Sequence, residues 1–477
     1  MWPFKRSQPA RRRTPGTAAR QYSGASMAAR FGDFNASNLS ADAELRNNIE
    51  VLRNRSRDLA RNNPHVVRFM SLMENNIVGS RGFALQVKAM NANGGTDRGG
   101  NARVEEQFRL WSRKVTGDGL MTMRSATNLA VRTWCRDGEV FCMKVRSSRF
   151  RDGLGLFFIE ADQIDHTLNQ TNPETGNSIR MGVEVDEYGA PLAYHALTYH
   201  PGDSDWATIG KRKYRRILAK DMIHTFIKSR PGQTRGEPPM APIMTDSKML
   251  AGYRDAEITN RRVAAAKMGF FVQKEDAGPI AGMADVVTSD GQLEMEAEPG
   301  KISTLPMNTD FKSWDPSSST TDYAAFEKQI IRSIAAGLGP SYTDLAMDLE
   351  GVNYSSIRQG ALADRDFYRG MQAFFVERFM FEVYGEWLDH AMQFGKLNIP
   401  SSRYDKFYDG TYFRPRGWSW VDPMKETNAA VKAIENNLTS LTQVIGETGR
   451  DHEDVFTELQ DEKLLLTEKG LSNVGEE

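Results

Sequence analysis

The chain has 477 residues, of which 40% are hydrophobic and 26% are charged, and its formal net charge is -1. This composition excludes a disordered chain and allows a sizeable core, divided among about two to four lobes. No run approaches the ~18 uninterrupted apolar residues of a membrane span, and no apolar signal core follows the first basic residues, so we expect a soluble, unsecreted protein. Cys135 and Cys142 have neither a redox nor a metal-ligand spacing, and we expect free, structural thiols in a reducing compartment.

The first thirty residues carry seven basic side chains and no acidic one. A basic segment of this kind fits either an arm that contacts nucleic acid or a solvated, disordered end. It also superficially resembles an organelle transit peptide. We treat residues 1–39 as a flexible basic N-terminal arm and leave these alternatives open.

Ordered structure is predicted to begin near Ser40, with helices on either side of a break at residues 62–64. Further helices are predicted near residues 104–114 and 122–136. Five segments rich in β-branched and aromatic residues are typical of strands. These segments are residues 139–145, 156–164, 181–186, 192–198 and 222–227. Together they predict an α+β lobe with a mostly antiparallel sheet.

The sequence contains few patterns typical of a catalytic or metal-binding site. Glu160, Asp162, Asp165 and His166 form a loose acidic and histidine cluster that could hold a hard metal. An exposed strand edge gives the same pattern and is favoured, because no motif places a second ligand group. No phosphate-binding loop, dinucleotide fingerprint, zinc-helix motif or nucleophile elbow occurs. We therefore expect no enzyme, no catalytic residue, no metal and no cofactor.

A long helix is predicted from Asp246 to about Phe270, with Glu257 and Arg261 spaced as a well-oriented i,i+4 pair. Residues 275–300 then carry seven acidic side chains and no basic one. This acidic module is either a docking surface for a basic partner or a solvated hairpin.

The most unusual pattern runs from residue 321 to residue 394. Residues 321–336 predict an amphipathic helix that breaks at Gly337, Gly339 and Pro340. The following loop holds three acidic side chains and no basic one, so it should repel polyanions. Residues 355–394 predict a helix about 60 Å long, because each residue rises ~1.5 Å. Such a helix is longer than one ordinary domain core.

The C-terminal part begins with an aromatic and arginine-rich connection, comprising Arg414, Arg416, Trp418 and Trp420. These side chains either stack on a nucleobase or, as we favour, pack between lobes. Asp422 and Pro423 are a good N-cap and first helical residue. Residues 446–477 hold ten acidic and three basic side chains, so this end is distinctly acidic.

Six segments resemble, in order and spacing, the lambda-type portal proteins of tailed bacteriophages, and the likeness covers nearly the whole chain. The segments are residues 55–86, RDGEVF at 136–141, GVEVDEYGAPLAYH at 182–195, RPGQTRGEPPMAP at 230–242, AAGLGPSYTDLAMDLEGVNYSSIRQG at 335–360 and FRPRGWSWVDPMKE at 413–426. Each string alone is a weak signal. Their order and spacing make the resemblance specific.

The resemblance implies an α+β portal fold with defined parts. The parts are a wing at 40–240, a first stem helix at 241–271, a clip at 272–317, a second stem helix at 318–336, a tunnel loop at 337–354, a long kinked helix returning to the wing at 355–420 and a helical crown at 421–477. Gly360, Gly370 and Gly385 are candidate kink points in the long helix.

The resemblance also implies a function and partners. Portals of this family form a ring of twelve subunits at one capsid vertex, through which double-stranded DNA is packaged and ejected. The implied partners are the large terminase, a head-tail adaptor and capsid or scaffold proteins, with no membrane. The implied location is the virion, and the host cytoplasm during assembly. Two alternatives are a metal-dependent nucleic-acid-processing enzyme that uses the Glu160 to His166 cluster, and a ring-forming adaptor or scaffold that does not conduct DNA.

Candidate site residues follow from this mapping. The tunnel-loop residues are Tyr342, Asp344, Met347, Asp348 and Glu350. Limited phosphate contact is expected from Arg261, Arg262, Lys267, Lys328 and Arg332, although surface ion pairs give the same pattern. Clip residues expected to dock a partner are Asp290, Glu294, Glu296 and Glu298. A protein that grips many phosphates holds DNA still, so a loop without basic residues suits sliding.

Overall fold

The computed structural model describes residues 37–203, 213–265, 269–273, 309–313, 320–418 and 422–471. Helices and antiparallel strands alternate through these ranges, which gives the predicted α+β class. None of the described helices is both long enough and apolar enough to cross a membrane.

Helices dominate the start of the described chain. They are α1 Ala41–Arg46, α2 Ile49–Asn62, α3 Pro64–Met73, α4 Arg98–Trp111 and α5 Met123–Asp137. Ser40 caps α1 by accepting a hydrogen bond from the backbone N–H of Ala43 at 3.2 Å. Asn63 caps α3, which begins with Pro64, so the predicted break at residues 62–64 is confirmed. A π-helical turn, Glu74–Val78, continues α3.

The strands form several small sheets instead of the single sheet predicted. They are β1 Ala84–Val87, β2 Glu139–Arg146, β3 Leu154–Ile159, β4 Gln170–Thr171, β5 Ser178–Arg180, β6 Val183–Val185, β7 Pro191–Leu197, β8 Tyr214–Leu218, β9 Met222–Phe226, β10 Gly269–Gln273, β11 Thr309–Ser313 and β12 Thr411–Arg414. The sheet orders are β3-β2-β9, β4-β5-β6-β7-β8, β1-β12 and β10-β11, and their paired strands are antiparallel.

The second half of the chain is mostly helical. The helices are α6 Met244–Ala265, α7 Thr320–Leu338, α8 Tyr342–Ala346, α9 Tyr354–Phe375, α10 Phe381–Gln393, α11 Tyr404–Asp409, α12 Pro423–Glu435, α13 Leu441–Glu447 and α14 His452–Glu468. A π-helical turn, Val376–Met380, joins α9 to α10 without a break. The long helix predicted at residues 355–394 is therefore confirmed.

Three sequence-based expectations need correction. The helix predicted to reach about Phe270 is described over Met244–Ala265, and Phe270 itself lies in β10, opposite Lys312 of β11. Helix α7 ends at Leu338, which confirms the predicted break at Gly339 and Pro340, whereas Gly337 still lies within the helix and allows close packing there. A β-carbon at Gly337 would lie 2.5 Å from Ile243, which shows how close this packing is.

The irregularity in the long helix is also placed differently. It lies at the π-turn Val376–Met380, and none of Gly360, Gly370 and Gly385 lies in it. A π-turn frees backbone carbonyls from the regular helical pattern. The carbonyl of Arg378 accepts a hydrogen bond from the hydroxyl of Thr225 at 3.1 Å. A side chain from β9 therefore supports the turn.

The main core surrounds the later half of the long helix. Phe375, Phe379 and Trp387 are fully buried, which confirms the prediction that these aromatic side chains are core residues, whereas Phe394 near the end of the helix is 47% exposed. The ring of Trp387 lies 5.0 Å from that of Phe108 in an edge-to-face arrangement, and Phe108 also contacts Phe413 of β12. The pair β1-β12 brings the early and late parts of the chain together, since Ala84 lies opposite Arg414. Neither strand was predicted.

The close approach of two backbone segments depends on Gly138. This residue ends α5 with φ 84°, a left-handed conformation that favours glycine. A β-carbon there would lie 2.2 Å from the carbonyl carbon of Glu237. The chain after β9 therefore lies directly against the α5-β2 turn.

We predict that Gly138→Ala destabilises the protein strongly. The left-handed conformation alone costs an alanine about 1–2 kcal/mol, and the contact with Glu237 adds to that cost. Gly189→Ala is the matched control, because Gly189 has φ 81° but a β-carbon added there would meet no atom within 4 Å. Urea unfolding should show a clearly larger loss for Gly138→Ala, and equal losses would contradict the packing argument.

Candidate functional site

The predicted tunnel loop has a base that is fixed by hydrogen bonds. Ser341 caps the short helix α8, and its own backbone N–H and hydroxyl donate to the two carboxylate oxygens of Asp364 at 2.8 and 2.6 Å. The guanidinium of Arg68 in α3 donates to the backbone carbonyl of Asp344 at 3.1 Å. Leu345 is buried between these contacts. The base is thus held by both α9 and the N-terminal helical block.

Two carboxylates lie close together in this base. Burial raises the pKa of Asp344, and the neighbouring charge of Asp364 raises it further, while Arg68 opposes the shift. Asp344 therefore faces the protein interior and a second carboxylate. The sequence alone placed it only in an acidic loop.

The outer part of the loop folds back on helix α7. The carboxylate of Asp348 accepts a hydrogen bond from the hydroxyl of Tyr342 at 2.7 Å and lies 3.2 Å from the ammonium nitrogen of Lys328. The same ammonium group lies 2.9 Å from Glu350. The hydroxyl of Tyr342, the backbone N–H of Glu350 and the ammonium of Lys328 lower the pKa of Asp348 to about 2. Hydrogen bonds from Lys328 to the two carboxylates raise the pKa of its ammonium group.

The other residues predicted to contact DNA phosphates have different surroundings in the structure. Arg261 donates to Glu257 at 2.8 Å, which confirms the predicted i,i+4 pair, and Arg262 is exposed beside it. The guanidinium of Arg332 lies 5.2 Å from the ring centre of Tyr342. Lys267 lies outside the described residues, as do the clip candidates Asp290, Glu294, Glu296 and Glu298.

A buried ion pair joins two of the segments that carried the resemblance. Glu139 of RDGEVF and Arg235 of RPGQTRGEPPMAP are both fully buried. The guanidinium of Arg235 donates to both carboxylate oxygens of Glu139 at 2.7 to 3.0 Å. It also donates to the backbone carbonyls of Ala161, Ile164 and Met181. One side chain therefore connects β2, the turn after β3 and the turn before β6.

The surroundings of Glu139 keep it ionised. Burial alone would raise its pKa, but the charge of Arg235 and hydrogen bonds from His224 and Arg235 outweigh burial and hold the pKa below its ordinary range. The imidazole of His224 lies 3.1 Å from Glu139, and Arg53 lies 3.3 Å away. The buried pair of Glu139 and Arg235 was not predicted from the sequence. The available signal was that both charged residues lie in glycine-containing segments, RDGEVF and RPGQTRGEPPMAP.

The four residues of the loose acidic and histidine cluster, Glu160, Asp162, Asp165 and His166, have separate partners in the structure. Glu160 and Asp162 instead approach His200, and their ligand atoms lie within 4.8 Å of one another. Asp165 accepts hydrogen bonds from Tyr214 and Thr167, while His166 approaches Glu50.

Asp162 is already engaged by two guanidinium groups. It lies 2.8 Å from Arg53 and also pairs with Arg57, and both cations lower its pKa against the opposing effect of burial. Two fixed positive charges beside the carboxylate oppose the binding of a metal cation. This geometry gives the metal-dependent enzyme alternative no support.

The aromatic and arginine connection packs between parts of the chain, as we favoured. The indole N–H of Trp418 donates to the side-chain oxygen of Asn76 at 3.1 Å, and Arg416 donates to the carbonyl of Asn75. Arg414 donates to Gln86 of β1 at 2.7 Å. Trp420 lies outside the described residues.

Comparison with known proteins identifies the class of protein that this arrangement belongs to. A sequence model described as phage portal protein, lambda family, matches residues 28–372. A probable portal protein of Halomonas phage phiHAP-1 is 34% identical over 436 residues, which cover 91% of this chain and 84% of that protein. The portal protein of Escherichia phage N15 is 22% identical and covers 96% of this chain and 93% of its own length. Portal protein B of Escherichia phage lambda is also 22% identical, over 95% of this chain and 92% of its own.

These matches define a phage portal protein, a head-tail connector with a structural role. The chain belongs to the lambda family of phage portal proteins. The nucleic-acid-processing enzyme is accordingly not favoured.

Similar solved structures include the neck of an empty GTA particle computed with C6 symmetry, with a TM-score of 0.46 and 12% identity over 84% of this chain and 93% of that one. An HK97 family phage portal protein from Corynebacterium diphtheriae has a TM-score of 0.31 and 10% identity over 77% of this chain and 94% of that one. Because both TM-scores are below 0.5, the family assignment rests on the sequence matches alone.

We predict that Glu139→Gln destabilises the protein by about 3–5 kcal/mol, because it leaves the charge of Arg235 buried and uncompensated. The measurement is urea unfolding at neutral pH. Glu106→Gln is the control, since Glu106 forms an exposed i,i+3 pair with Arg109 and should leave the midpoint nearly unchanged. A small effect of Glu139→Gln would show that the pair does not anchor the fold.

Proposed function

We propose that this chain assembles with other copies of itself into a ring, with twelve copies expected, at one vertex of a phage capsid. Double-stranded DNA passes through the centre of this ring during packaging and ejection. The protein is located in the virion and, during assembly, in the host cytoplasm. Membership of the portal family supports this function. The exposed apolar side chains of the C-terminal helices support self-assembly.

The observation that carries self-assembly is the lack of burial in α12, α13 and α14. None of these three helices contains a buried residue. Their exposed apolar side chains, together with those of the adjoining turns, are Met424, Val431, Leu438, Leu441, Phe456, Leu459, Leu464, Leu465 and Leu471. Short helices are marginal in water and gain most of their stability from packing. Apolar surface of this extent is typical of a protein interface.

Within the ring we assign the parts that the resemblance implied. Helices α6 and α7 form the stem, residues 337–354 the tunnel loop, and residues from 421 onward the crown. Arg261, Arg262, Lys267 and Arg332 give few and reversible phosphate contacts, which lets DNA slide because tight, salt-sensitive binding needs many such contacts. Lys328 is occupied by the loop acids Asp348 and Glu350, so we assign it a role within the loop.

Docking of partners is assigned to the clip at residues 272–317. Asp290, Glu294, Glu296 and Glu298 contribute to its excess of negative charge. Such a charge suits a basic surface on the large terminase or on a head-tail adaptor. Capsid or scaffold proteins contact the ring elsewhere.

We predict that Leu459→Asp combined with Leu465→Asp prevents ring assembly while the subunit stays folded. Burying a leucine contributes about 1.5–3 kcal/mol, so each subunit contact should weaken by more than about 100-fold. Native mass spectrometry measures the assembly, and circular dichroism checks the fold. Leu120→Asp is the control, because Leu120 is 83% exposed and lies on the N-terminal lobe.

Electron microscopy of the unmodified particle tests the whole proposal. Top views should show a ring with countable subunits and a central opening wide enough for a DNA duplex. A stable monomer under all assembly conditions would overturn the portal ring. A ring with no such opening would instead identify a non-conducting adaptor or scaffold.

A further inference from the structure

A cavity of about 660 Å³ opens beside strand β1 on the N-terminal lobe. It lies between residues 81–85, one side of α4 and the first turn of α5. Its volume falls within the range of about 300–1,000 Å³ that is usual for ligand sites. Buried apolar side chains of the main core form its inner wall, namely Phe83, Phe108, Met123 and Met380. The cavity therefore extends from the surface to the core.

Strand β1 presents an open edge to this cavity. Within the described residues β1 pairs only with β12, and directly after it the backbone N–H of Lys88 donates to the carbonyl of Gly410. Hydrogen-bonding directions alternate along an antiparallel strand, so the backbone groups of Leu85 and Val87 point away from β12. The N–H of Val87 donates instead to the carboxylate of Glu105 at 2.6 Å. A carboxylate thus already satisfies one position of the open edge.

The next position along the same edge has no such partner. No described residue forms a hydrogen bond with the backbone N–H or C=O of Leu85. The hydroxyl oxygen of Ser112, which also lines the cavity, is buried and has no hydrogen-bond partner within the described ranges. Polar groups in such places are normally hydrogen-bonded. A ligand that supplies both an acceptor and a donor therefore fits this wall of the cavity.

The rim of the cavity is positively charged. Three arginines and two glutamates line it, which gives a net charge of +1; they are Arg81, Glu105, Glu106, Arg109 and Arg124. Glu106 and Arg109 form two hydrogen bonds of 2.7 Å with each other. Arg81 and Arg124 are exposed, and in the part of the chain that the structure describes neither belongs to an ion pair. These two guanidinium groups are available to an anionic ligand.

The cavity also has a direction. Burial and the nearby acidic residues at the start of α14, Asp451, Asp454 and Glu453, raise the pKa of Glu105, which marks this end as negative. Arg124 lies at the other end, since a β-carbon added at Gly82 would lie 3.3 Å from its own β-carbon. A carboxylate on the ligand is therefore directed towards residues 81 and 124.

We propose that this cavity binds an extended acidic peptide segment of a partner protein by β-strand addition. The backbone of the segment pairs with the open edge of β1 at Leu85. One of its apolar side chains packs on Phe83 and Met123, and one of its carboxylates pairs with Arg81 or Arg124. Side chains alternate between the two faces of a strand, so one segment can supply both groups. The site is separate from the clip and does not depend on the proposed ring.

A peptide fits this cavity better than a nucleic acid does. A peptide backbone can bond both the N–H and the C=O of Leu85, whereas a phosphate group has acceptors only. The apolar inner wall also favours an apolar side chain over a phosphate. In strand addition the main-chain hydrogen bonds provide affinity, and the contacts of alternate side chains provide specificity.

Peptide binding to the full-length chain tests the proposal. The probe is a fluorescein-labelled peptide with alternating glutamate and valine, and the matched peptide has lysine in place of glutamate. Fluorescence anisotropy should show at least about tenfold tighter binding of the acidic probe, which corresponds to one favourable charge contact. Equal binding of the two peptides would overturn the proposal, as would no binding of either.

A charge reversal locates the binding site. Arg81→Glu places a negative charge on the rim and should weaken binding of the acidic probe by about tenfold or more. Arg46→Glu is the matched control, because Arg46 is exposed on α1 and does not line the cavity. Binding by this control should stay close to that of the unmodified chain. Equal losses in the two variants would show a general charge effect and overturn the proposed site.

The strand geometry has its own test. Leu85→Pro removes the outward N–H but leaves the ladder to β12, because proline is tolerated where an edge N–H faces away from the sheet. Binding of the acidic probe should be lost while circular dichroism stays unchanged. If this variant does not fold, hydrogen exchange in the unmodified chain decides. The acidic probe should slow exchange in residues 83–86, and unchanged exchange there would reject strand addition.

A short DNA duplex serves as the competitor. If the duplex displaces the probe and Arg81→Glu abolishes its binding, the rim belongs to a nucleic-acid surface and the proposal is wrong. If the duplex leaves the probe bound, the peptide site stands. All these measurements use the folded chain in any oligomeric state. Failure of the chain to form rings would therefore reject the proposed function without affecting this site.

Discussion

The burial of Arg235 against Glu139 is the constraint on which the arrangement of the N-terminal lobe depends. A buried guanidinium has five donors that all need acceptors, and here they are shared among one carboxylate and three backbone carbonyls. Those acceptors lie on β2 and on the turns that lead to the five-stranded sheet. Their relative positions are therefore fixed by one planar group, and a shift of any of them leaves a charge or a donor unsatisfied.

The same contact also fixes where the chain leaves this lobe. Arg235 lies in the segment that leads to α6, and Gly138 allows that segment to lie directly on the α5-β2 turn. Arg68 of α3 in turn holds the base of the loop after α7. The N-terminal lobe thus determines the start of one helix of the α6-α7 pair and the position of the loop beyond the other.

Structural features that depend only on neighbouring residues in the sequence were predicted from local patterns. The cap at Asp422, the pair Glu257–Arg261 and the long aromatic helix were all predicted, because each depends on residues within about one or two helical turns. The segments β1 and β12 were missed because each strand is short and is stabilised by a partner at the other end of the chain.

In the candidate site, too, local features were predicted and contacts between residues distant in the sequence were not. Composition indicated an acidic loop, and the sequence could not show that Lys328 lies against Asp348 or that Asp344 turns towards Asp364. Such pairings depend on tertiary structure and have no local periodicity. The proximity of Glu160 to His200 could not be predicted either, since His200 is distant from Glu160 in the sequence. The channel and docking assignments remain predictions.

The π-turn Val376–Met380 has a consequence for how the long helix can vary. A π-turn contains one residue more than the α-helical pattern needs, and one residue corresponds to about 100° of rotation around a helix of 3.6 residues per turn. The turn therefore sets the angular phase between α9 and the buried face of α10. Removing the exposed residue Glu377 would keep the buried side chains of the turn but rotate Trp387 away from Phe108. Changes in chain length should be tolerated in loops on either side of this helix and rejected within it.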